Sequence, residues 1–428
     1  MTYAFILGRV YTLSIAELVA TLPALGISWE LVAASPEAFI IETPTPLDAE
    51  RIQKRLGGII KIIRIVDVVK KREQDSINFT LQNYFKPSKI KAEYLKSGSG
   101  KIQFGISIYL LDMQVKAFGD PKRLGMFIKR AMQDSGSSIR LVLPEFNALA
   151  LASVVVTHNQ LTQKGAEICV IADTDRVYVG KTLVVQDFED YGRRDYQRPT
   201  RDDIRGMIPP KVAQTMLNIT GAAPNETILD PFCGVGTFIQ EGSLLGYKMI
   251  GSDIDKLAIT GSERNLEWFR NRYKIPKGKY HVDVADATTA SQLITHLQEI
   301  KAIESVSAVV TEGTLGPIYS KLPSSDEMQR NFAALSKLYT KVFADMAQYL
   351  KSKAKVVMCV PAYKVGAQEY ALFPSLDFAV ANGYNIISLI PLEIASNMPF
   401  LRLTPRKTAI YDRKDQIVAR EILIFEKQ

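Results

Sequence analysis

A short apolar run that ends in a carboxylate and enters a glycine turn limits the fold more than any other segment. Residues 226–238 read Glu-Thr-Ile-Leu-Asp-Pro-Phe-Cys-Gly-Val-Gly-Thr-Phe. The run predicts a buried strand, and the glycines predict a tight turn that opens a helix. Gly234 and Gly236 would let the backbone approach a ligand at the carboxyl end of this strand, where parallel sheets bind nucleotides.

This turn is not the dinucleotide-binding fingerprint. The third glycine of G-x-G-x-x-G is replaced by Ile239, and an acidic residue, Asp230, ends the strand itself. A carboxylate at this position favours a cationic ligand over a pyrophosphate.

From Gly206 onward, strand-like runs alternate with helical patterns. This rhythm predicts an α/β fold with a doubly wound, mainly parallel sheet. The predicted strands are residues 227–230, 248–253, 281–284, 305–311, 355–360, 385–390, 408–413 and 417–426.

The first half of the chain predicts two smaller α+β modules, residues 1–82 and 83–186. The predicted strands of the second module are residues 103–111, 139–143, 153–156, 167–171 and 176–181. A charged, proline-bearing connector follows. Its composition predicts a linker over residues 187–205, ahead of a C-terminal domain over residues 206–428.

The net charge of +8 is concentrated in the first half, because residues 51–140 hold 19 Lys or Arg and 7 Asp or Glu. Scattered lysines usually form a solvated surface. Since the surplus is regional, it also fits a polyanionic partner such as a nucleic acid.

The three cysteines, Cys169, Cys233 and Cys359, lie far apart and match no metal-ligand spacing, so we expect no metal site. Thiols without disulfide spacing fit a reducing compartment, the cytoplasm. No run approaches the roughly 18 apolar residues of a membrane span, and we expect no membrane association.

Two more carboxylates follow the next predicted strands. Asp253 ends the strand after Asp230, and Asp286 follows the one after that. Each aspartate taken singly is better explained as a helix N-cap or a turn residue. Together, at three consecutive strand ends, they predict one ligand site at the edge of the sheet.

These segments resemble the class I methyltransferases that use S-adenosylmethionine (SAM), whose first motif has the form Asp-Pro-Phe/Cys-x-Gly-x-Gly-Thr. The resemblance implies that Asp230 lies near the positive methionine end of SAM, that Asp253 accepts the ribose hydroxyl hydrogens and that Asp286 receives the adenine amine. Cys233 also fits a turn that needs a small residue. The implied cofactor-binding residues are Asp230, Pro231, Cys233, Gly234, Gly236, Thr237, Asp253, Ile254, Asp286 and Ala287.

The likeness extends along the chain. The chain resembles the tRNA guanosine-N2 methyltransferases that act at position 10 of tRNA. The resemblance lies in segments 13–18, 56–61, 104–109, 178–182, 186–199, 206–213 and 411–422. That family joins a ferredoxin-like region and a THUMP domain, which grips tRNA through phosphate and shape contacts, to a class I catalytic domain. The resemblance therefore implies tRNA as a partner, a ferredoxin-like domain at 1–82, a THUMP domain at 83–186 and a methyltransferase domain at 206–428. It leaves open whether an activating partner protein is needed.

One motif departs from the family. Amino methyltransferases carry Asp/Asn-Pro-Pro-Tyr after the fourth strand, where the acid and a prolyl carbonyl hold the amine hydrogens and the ring stacks on a flipped base. Here Glu312 replaces the acid and Leu315 the ring, while Gly313 and Thr314 replace the prolines. Tyr319 could supply a ring, and packing within a helix explains it equally well. The candidate catalytic residues are Glu312, Thr314 and Tyr319.

Three interpretations follow. The first is methyl transfer from SAM to the exocyclic N2 amine of a guanosine in tRNA. The second is methylation of an amine on another RNA or DNA base. The third, which the altered fourth motif favours, is a tRNA-binding protein that retains SAM but has weak catalysis.

Overall fold

The computed structural model describes residues 1–72, 75–95, 102–112, 119–202, 206–413 and 416–428. The chain forms two compact units. The N-terminal unit comprises Met1–Ile15, Ile27–Phe188 and Met398–Leu401, and the C-terminal unit comprises Ala16–Gly26, Glu189–Asn397 and Arg402–Gln428. Residues 203–205 of the predicted linker, and residues 414 and 415 of the segment 411–422, lie outside the described residues.

The N-terminal unit is built on one mixed sheet. Its strands are β1 (Thr2–Leu7), β2 (Glu30–Ala34), β3 (Ala38–Glu42), β4 (Ile59–Lys70), β5 (Ile102–Leu110), β6 (Ile139–Val142), β7 (Ala166–Ala172) and β8 (Arg176–Val185). Within the described ranges their order is β2-β3-β1-β4-β8-β7-β5-β6. The pairs β5–β6 and β5–β7 are parallel, and the other neighbours are antiparallel.

The helices of this half begin with α1 (Tyr11–Ala24), whose residues are divided between the two units. The others are α2 (Ala49–Arg55), α3 (Ile77–Gln82), α4 (Pro87–Lys89), a π-helical turn (Ile90–Tyr94), α5 (Pro121–Asp134) and α6 (Ser153–His158). One face of α5 is buried through Leu124, Ile128 and Met132, while Lys122 and Arg123 are exposed, as the amphipathic pattern requires.

The prediction of a strand at residues 153–156 is wrong, because these residues open α6. A four-residue apolar run has no periodicity that separates a strand from a buried helical turn. Val156 packs into a small cluster with Val142, Leu151 and Leu161, and that tertiary contact overrides the strand preference of β-branched residues.

The sheet is continuous across residue 82. Strand β4, from the first predicted module, pairs along its length with β8, from the second. The division at residue 82, like the other domain boundaries, stays a prediction.

The C-terminal unit carries a second sheet. Its strands are β9 (Thr227–Asp230), β10 (Lys248–Asp253), β11 (Tyr280–Val284), β12 (Val306–Thr311), β13 (Leu350–Lys364), β14 (Tyr370–Ala371), β15 (Tyr384–Ile387), β16 (Ala409–Tyr411) and β17 (Val418–Lys427). In the described part of the chain the order is β11-β10-β9-β12-β13-β17-β15, with β14 beside β13 and β16 beside β17. The first five are parallel and β17 is antiparallel to β13, which confirms the predicted mainly parallel sheet.

Helices cover this sheet: α7 (Phe188–Tyr196), α8 (Pro210–Ile219), α9 (Thr237–Leu244), α10 (Lys256–Tyr273), a 3-10 turn (Ala287–Thr289), α11 (Ala290–Glu299), α12 (Ser325–Met346), α13 (Asp377–Val380) and α14 (Leu392–Ala395). Helix α12 begins at a capping box, in which Ser324 and Glu327 satisfy each other's backbone N–H groups. Its inner face packs in an aromatic core with Phe373, Phe378 and Phe425. This helix and the strand ends hold the site described below.

None of the helices in the described ranges has both the length and the apolar character required to cross a bilayer.

Candidate functional site

A cleft of about 1210 Å³ opens at the carboxyl ends of the parallel strands of the C-terminal sheet. Of the thirteen predicted site residues, twelve line this cleft, and Gly236 does not. The twelve are Asp230, Pro231, Cys233, Gly234, Thr237, Asp253, Ile254, Asp286, Ala287, Glu312, Thr314 and Tyr319. Residues that lie up to 89 positions apart in sequence are thus brought together by the strand order.

The glycine loop after β9 is shaped by two residues with positive φ, Gly234 (φ +52°) and Gly236 (φ +87°). A Cβ at position 236 would lie 2.4 Å from the Oγ of Ser262 on α10, so this glycine permits close packing behind the loop. A Cβ at position 234 would meet no atom within 4 Å. The space beside the Gly234 Cα is therefore open, and Gly234 also lines the cleft.

Asp230 is the buried acid of the cleft, with 1% of its surface exposed. Burial raises its pKa to about 7, against the lowering effect of hydrogen bonds from Thr311 and the Phe232 backbone N–H. The nearby charges of Asp253 and Glu312 raise the pKa further. A cation bound beside Asp230 would favour its ionised form.

Asp253 ties the glycine loop to β10. Its Oδ2 accepts the backbone N–H of Gly234 at 2.9 Å, and its Oδ1 accepts that of Asp255 at 2.9 Å. The carboxylate is half-buried, and each oxygen keeps a lone pair for a hydroxyl donor.

Asp286 is exposed and caps the 3-10 turn after β11. Its Oδ1 accepts the backbone N–H and the hydroxyl of Thr288, both at 2.8 Å. Asp286 therefore has the N-cap role that a single aspartate after a strand predicts. Asp286 also lines the cleft, so a cap and a ligand contact are compatible at this residue.

The loop after β12, residues 312–316, is held by side chains of α12. The Tyr339 hydroxyl donates to the carbonyl of Thr314 at 2.6 Å, and the Asn331 amide donates to the carbonyl of Leu315 at 3.1 Å. A Cβ at Gly316 (φ +93°) would lie 2.1 Å from the Asn331 Oδ1. These contacts hold the loop at Thr314, Leu315 and Gly316.

Glu312 forms an ion pair with Arg420 of β17, whose Nε donates to the Glu312 Oε1. The Arg420 side chain is 2% exposed, and the Glu312 side chain is 19% exposed. Arg420 also donates from Nη1 to the Oε1 of Gln416 at 2.7 Å, and all three residues line the cleft.

Aromatic rings border the same end of the cleft. Tyr319 lies in a loop and not in a helix, half-buried, with its ring 5.9 Å from that of Tyr363 in an edge-to-face arrangement. Phe232 is also half-buried, lines the cleft and meets Tyr339 edge to face at 6.4 Å. Either ring could contact a planar ligand.

Two buried arginines hold the connector, residues 187–205, against helix α9. Arg194 pairs with Asp190 and, at 2.9 Å, with Glu241 of α9. Arg198 donates to the Thr237 hydroxyl at 2.8 Å. Both arginines therefore serve the structure of this unit.

Sequence reasoning missed Arg420, Asn331 and Tyr339. Asn331 and Tyr339 lie in an ordinary amphipathic helix pattern, which carries no sign of their partners. Arg420 did leave a signal, because a charged residue inside an apolar strand needs a buried partner. Among the residues described, no group of three His, Cys, Asp or Glu side chains could hold a metal ion.

Similarity to solved structures defines the class of the fold. TrmN from Thermus thermophilus superposes with a TM-score of 0.56 at 11% identity, over 100% of both chains. With its parallel strand order and the glycine loop at the end of β9, the C-terminal unit has the class I methyltransferase fold.

Residues 197–384 match the family model UPF0020, which is described as an RMKL-like methyltransferase domain. The chain is also similar to two proteins named tRNA (guanine(10)-N2)-dimethyltransferase. The one from Methanocaldococcus jannaschii is 30% identical over 161 residues, which is 36% of this chain and 42% of that protein. The one from Methanothermobacter thermautotrophicus is 26% identical over 190 residues, 44% of this chain and 48% of that protein. The chain thus spans less than half the length of these relatives.

Proposed function

We propose that this protein is a SAM-dependent methyltransferase that acts on tRNA and transfers a methyl group to the exocyclic N2 amine of a guanosine. The observation that carries the proposal is a single cleft that gathers Asp230, Asp253 and Glu312 from three strand ends. The names of the two relatives support tRNA and the N2 amine as the target.

The residues around the glycine loop fit SAM. Asp230 is a buried carboxylate suited to a cation, Asp253 offers two acceptor oxygens for ribose hydroxyls, and Gly234 leaves room for a ligand against its backbone. Asp286 and Ala287 lie at the end of the next strand, where an adenine would be held. When bound, SAM supplies an electrophilic methyl group on a sulfonium, so transfer needs no further reactant.

The loop after β12 holds the acceptor amine. Glu312 accepts one amine hydrogen, which keeps the nitrogen lone pair free to attack, and Thr314 borders the same space. As the N–C bond forms, the bond between the methyl carbon and the sulfonium would break, and the proton that the amine loses would pass through Glu312 to solvent. Phe232 and Tyr319 are the rings placed to contact a base that has left its stack.

The N-terminal half binds the tRNA in this proposal. A ferredoxin-like domain at 1–82 and a THUMP domain at 83–186 carry the basic surplus of residues 51–140, and Lys122 and Arg123 of α5 are exposed to phosphates. A cytoplasmic location remains a prediction of the sequence, and the resemblance leaves the need for an activating partner protein open.

Incubation of the protein with methyl-labelled SAM and total tRNA, followed by digestion to nucleosides, tests the proposal. We expect label in N2-methylated guanosine. Asp230→Ala and Asp253→Ala should each weaken SAM binding by calorimetry by about tenfold or more, because each removes a charged hydrogen-bond acceptor. Label in no RNA nucleoside would refute methyl transfer, and SAM binding without turnover would favour the weakly catalytic tRNA-binding protein.

A further inference from the structure

Strand β17 places a buried arginine, Arg420, against the loop of residues 312–316, which we call the acceptor loop. Successive side chains of a strand point to opposite faces, so Arg420 faces one side of the sheet, and Ala419 and Glu421 face the other. Arg420 is paired in register with Pro361 of β13 and Tyr411 of β16, so its backbone lies between two strands. A cation in this position loses its hydration and requires a counter-charge.

That counter-charge is Glu312. The Arg420 Nε donates to the Glu312 Oε1, and in the described part of the chain the Oε2 receives no hydrogen bond. Because Glu312 lines the cleft and is 19% exposed, its second oxygen remains available to a ligand.

We propose that Arg420 is a positioning residue, which holds the Glu312 carboxylate in the orientation that accepts the hydrogen of the acceptor amine. This inference rests on the proposed function. Glutamate has one more rotatable bond than the Asp or Asn that the family carries, so its carboxylate has more orientations to lose. The Arg420 guanidinium restricts the orientations of the Glu312 carboxylate, and the contact with Gln416 holds the guanidinium in turn.

Replacing Arg420 by Gln and by Lys tests this role. We expect Arg420→Gln to lower kcat for tRNA methylation by about 10- to 100-fold, as a misplaced catalytic group does, and Arg420→Lys to lose less because it keeps the cation. The KM for tRNA and the SAM dissociation constant should stay within about threefold of the wild type, because neither ligand is held by Arg420 in this proposal.

The effect must pass through Glu312. In a Glu312→Ala background, Arg420→Gln should therefore cause no further loss of kcat, whereas independent roles would multiply. A second readout needs no activity. The free energies of unfolding of the wild type, Arg420→Gln, Glu312→Ala and the double variant, measured with denaturant, should show coupling between positions 312 and 420.

A neighbouring ion pair provides the matched control. Arg406 donates to Glu421 at 2.8 and 2.7 Å, on the opposite face of β17, and it does not line the cleft. Arg406→Gln should lower the thermal midpoint while kcat per folded molecule stays unchanged. This control variant separates a loss of kcat caused by unfolding from one caused by a misplaced Glu312 carboxylate.

The outcomes divide clearly. Wild-type kcat in Arg420→Gln, an equal loss in both backgrounds, or no unfolding coupling would each overturn the positioning role, even if the wild type methylates tRNA. Absence of methyl transfer by the wild type would instead refute the proposed function, and the inference with it.

Discussion

The two loops that border the cleft are fixed by different means. The glycine loop, residues 231–237, has two positive-φ glycines, and its backbone donates to the side chains of Asp230 and Asp253, which end strands β9 and β10. The acceptor loop, residues 312–316, also has two positive-φ glycines, but it is held in addition by side chains of α12 and β17, namely Asn331, Tyr339 and Arg420. One half of the site is thus built from adjacent strand ends, and the other is held by a helix and a later strand.

This difference separates two properties of the protein. Changes in the glycine loop should alter SAM affinity, and changes in the acceptor loop or its supports should alter turnover. Variants that moved both properties together would show that the loops act as one unit.

The largest effect is expected at Glu312. Glu312→Ala removes the acceptor for the amine hydrogen and should lower kcat by about 10²- to 10³-fold, as loss of a positioned acid or base does. SAM affinity measured by calorimetry should remain, and Glu312→Gln, which keeps an acceptor oxygen, should be less affected. Unchanged turnover in Glu312→Ala would remove this residue from the mechanism.

The pH dependence of SAM binding tests the glycine-loop side. Since the pKa of Asp230 is about 7, the carboxylate becomes protonated below neutrality and loses its attraction for a cation. Affinity should fall about tenfold from pH 8 to pH 6. Asp230→Asn should bind weakly at both pH values, and an equal pH slope in that variant would assign the titration to another group.

The same group has the opposite effect on the unliganded fold. A carboxyl whose pKa is raised on folding favours the folded state when it is protonated. Its contribution to the free energy of unfolding is therefore present near pH 4 and is lost as the pH rises through about 7. Denaturant unfolding of wild type and Asp230→Asn over this range should show the difference.

Two glycine substitutions compare the loops directly. Gly236→Ala meets Ser262 and Gly316→Ala meets Asn331, so each combines a strained φ with a clash and should cost about 1–3 kcal/mol of stability. The first should weaken SAM binding, and the second should lower kcat with SAM affinity intact. Gly246→Ala, at φ +91° but in open space, is the control for φ alone.

The smallest effect concerns Tyr339→Phe. This change removes the hydroxyl that holds the Thr314 carbonyl and keeps the aromatic packing against Phe378. We expect a loss of about 0.5–1.5 kcal/mol in stability and a few-fold decrease in kcat. An unchanged kcat would show that Asn331 alone suffices to hold the loop.

The half of the site around the glycine loop could be predicted from sequence. The strand over residues 227–230, the glycine turn and the strand-end positions of Asp230 and Asp253 each leave a pattern within a few residues, although the contact between Asp253 and Gly234 spans 19 residues. The mainly parallel sheet followed from the alternation of strands and helices in the same way.

The remainder could not be predicted, because its determinants are not local. No pattern around Glu312 indicates that Arg420 lies beneath it, and no pattern within α12 distinguishes Asn331 and Tyr339 from other polar residues of the helix. The wrong strand at residues 153–156 has the same cause, since packing of Val156 decided the backbone conformation there.

The antiparallel pairing of β13 with β17 has a consequence for the order of assembly during synthesis. Strands β9 to β12 need only residues 227–311, so the cofactor half can form early on the growing chain. The acceptor half waits until residue 420 has emerged and β17 has paired beside β13. A nascent chain would thus acquire affinity for its methyl donor before it could use one, and ligand binding could stabilise the partly folded intermediate.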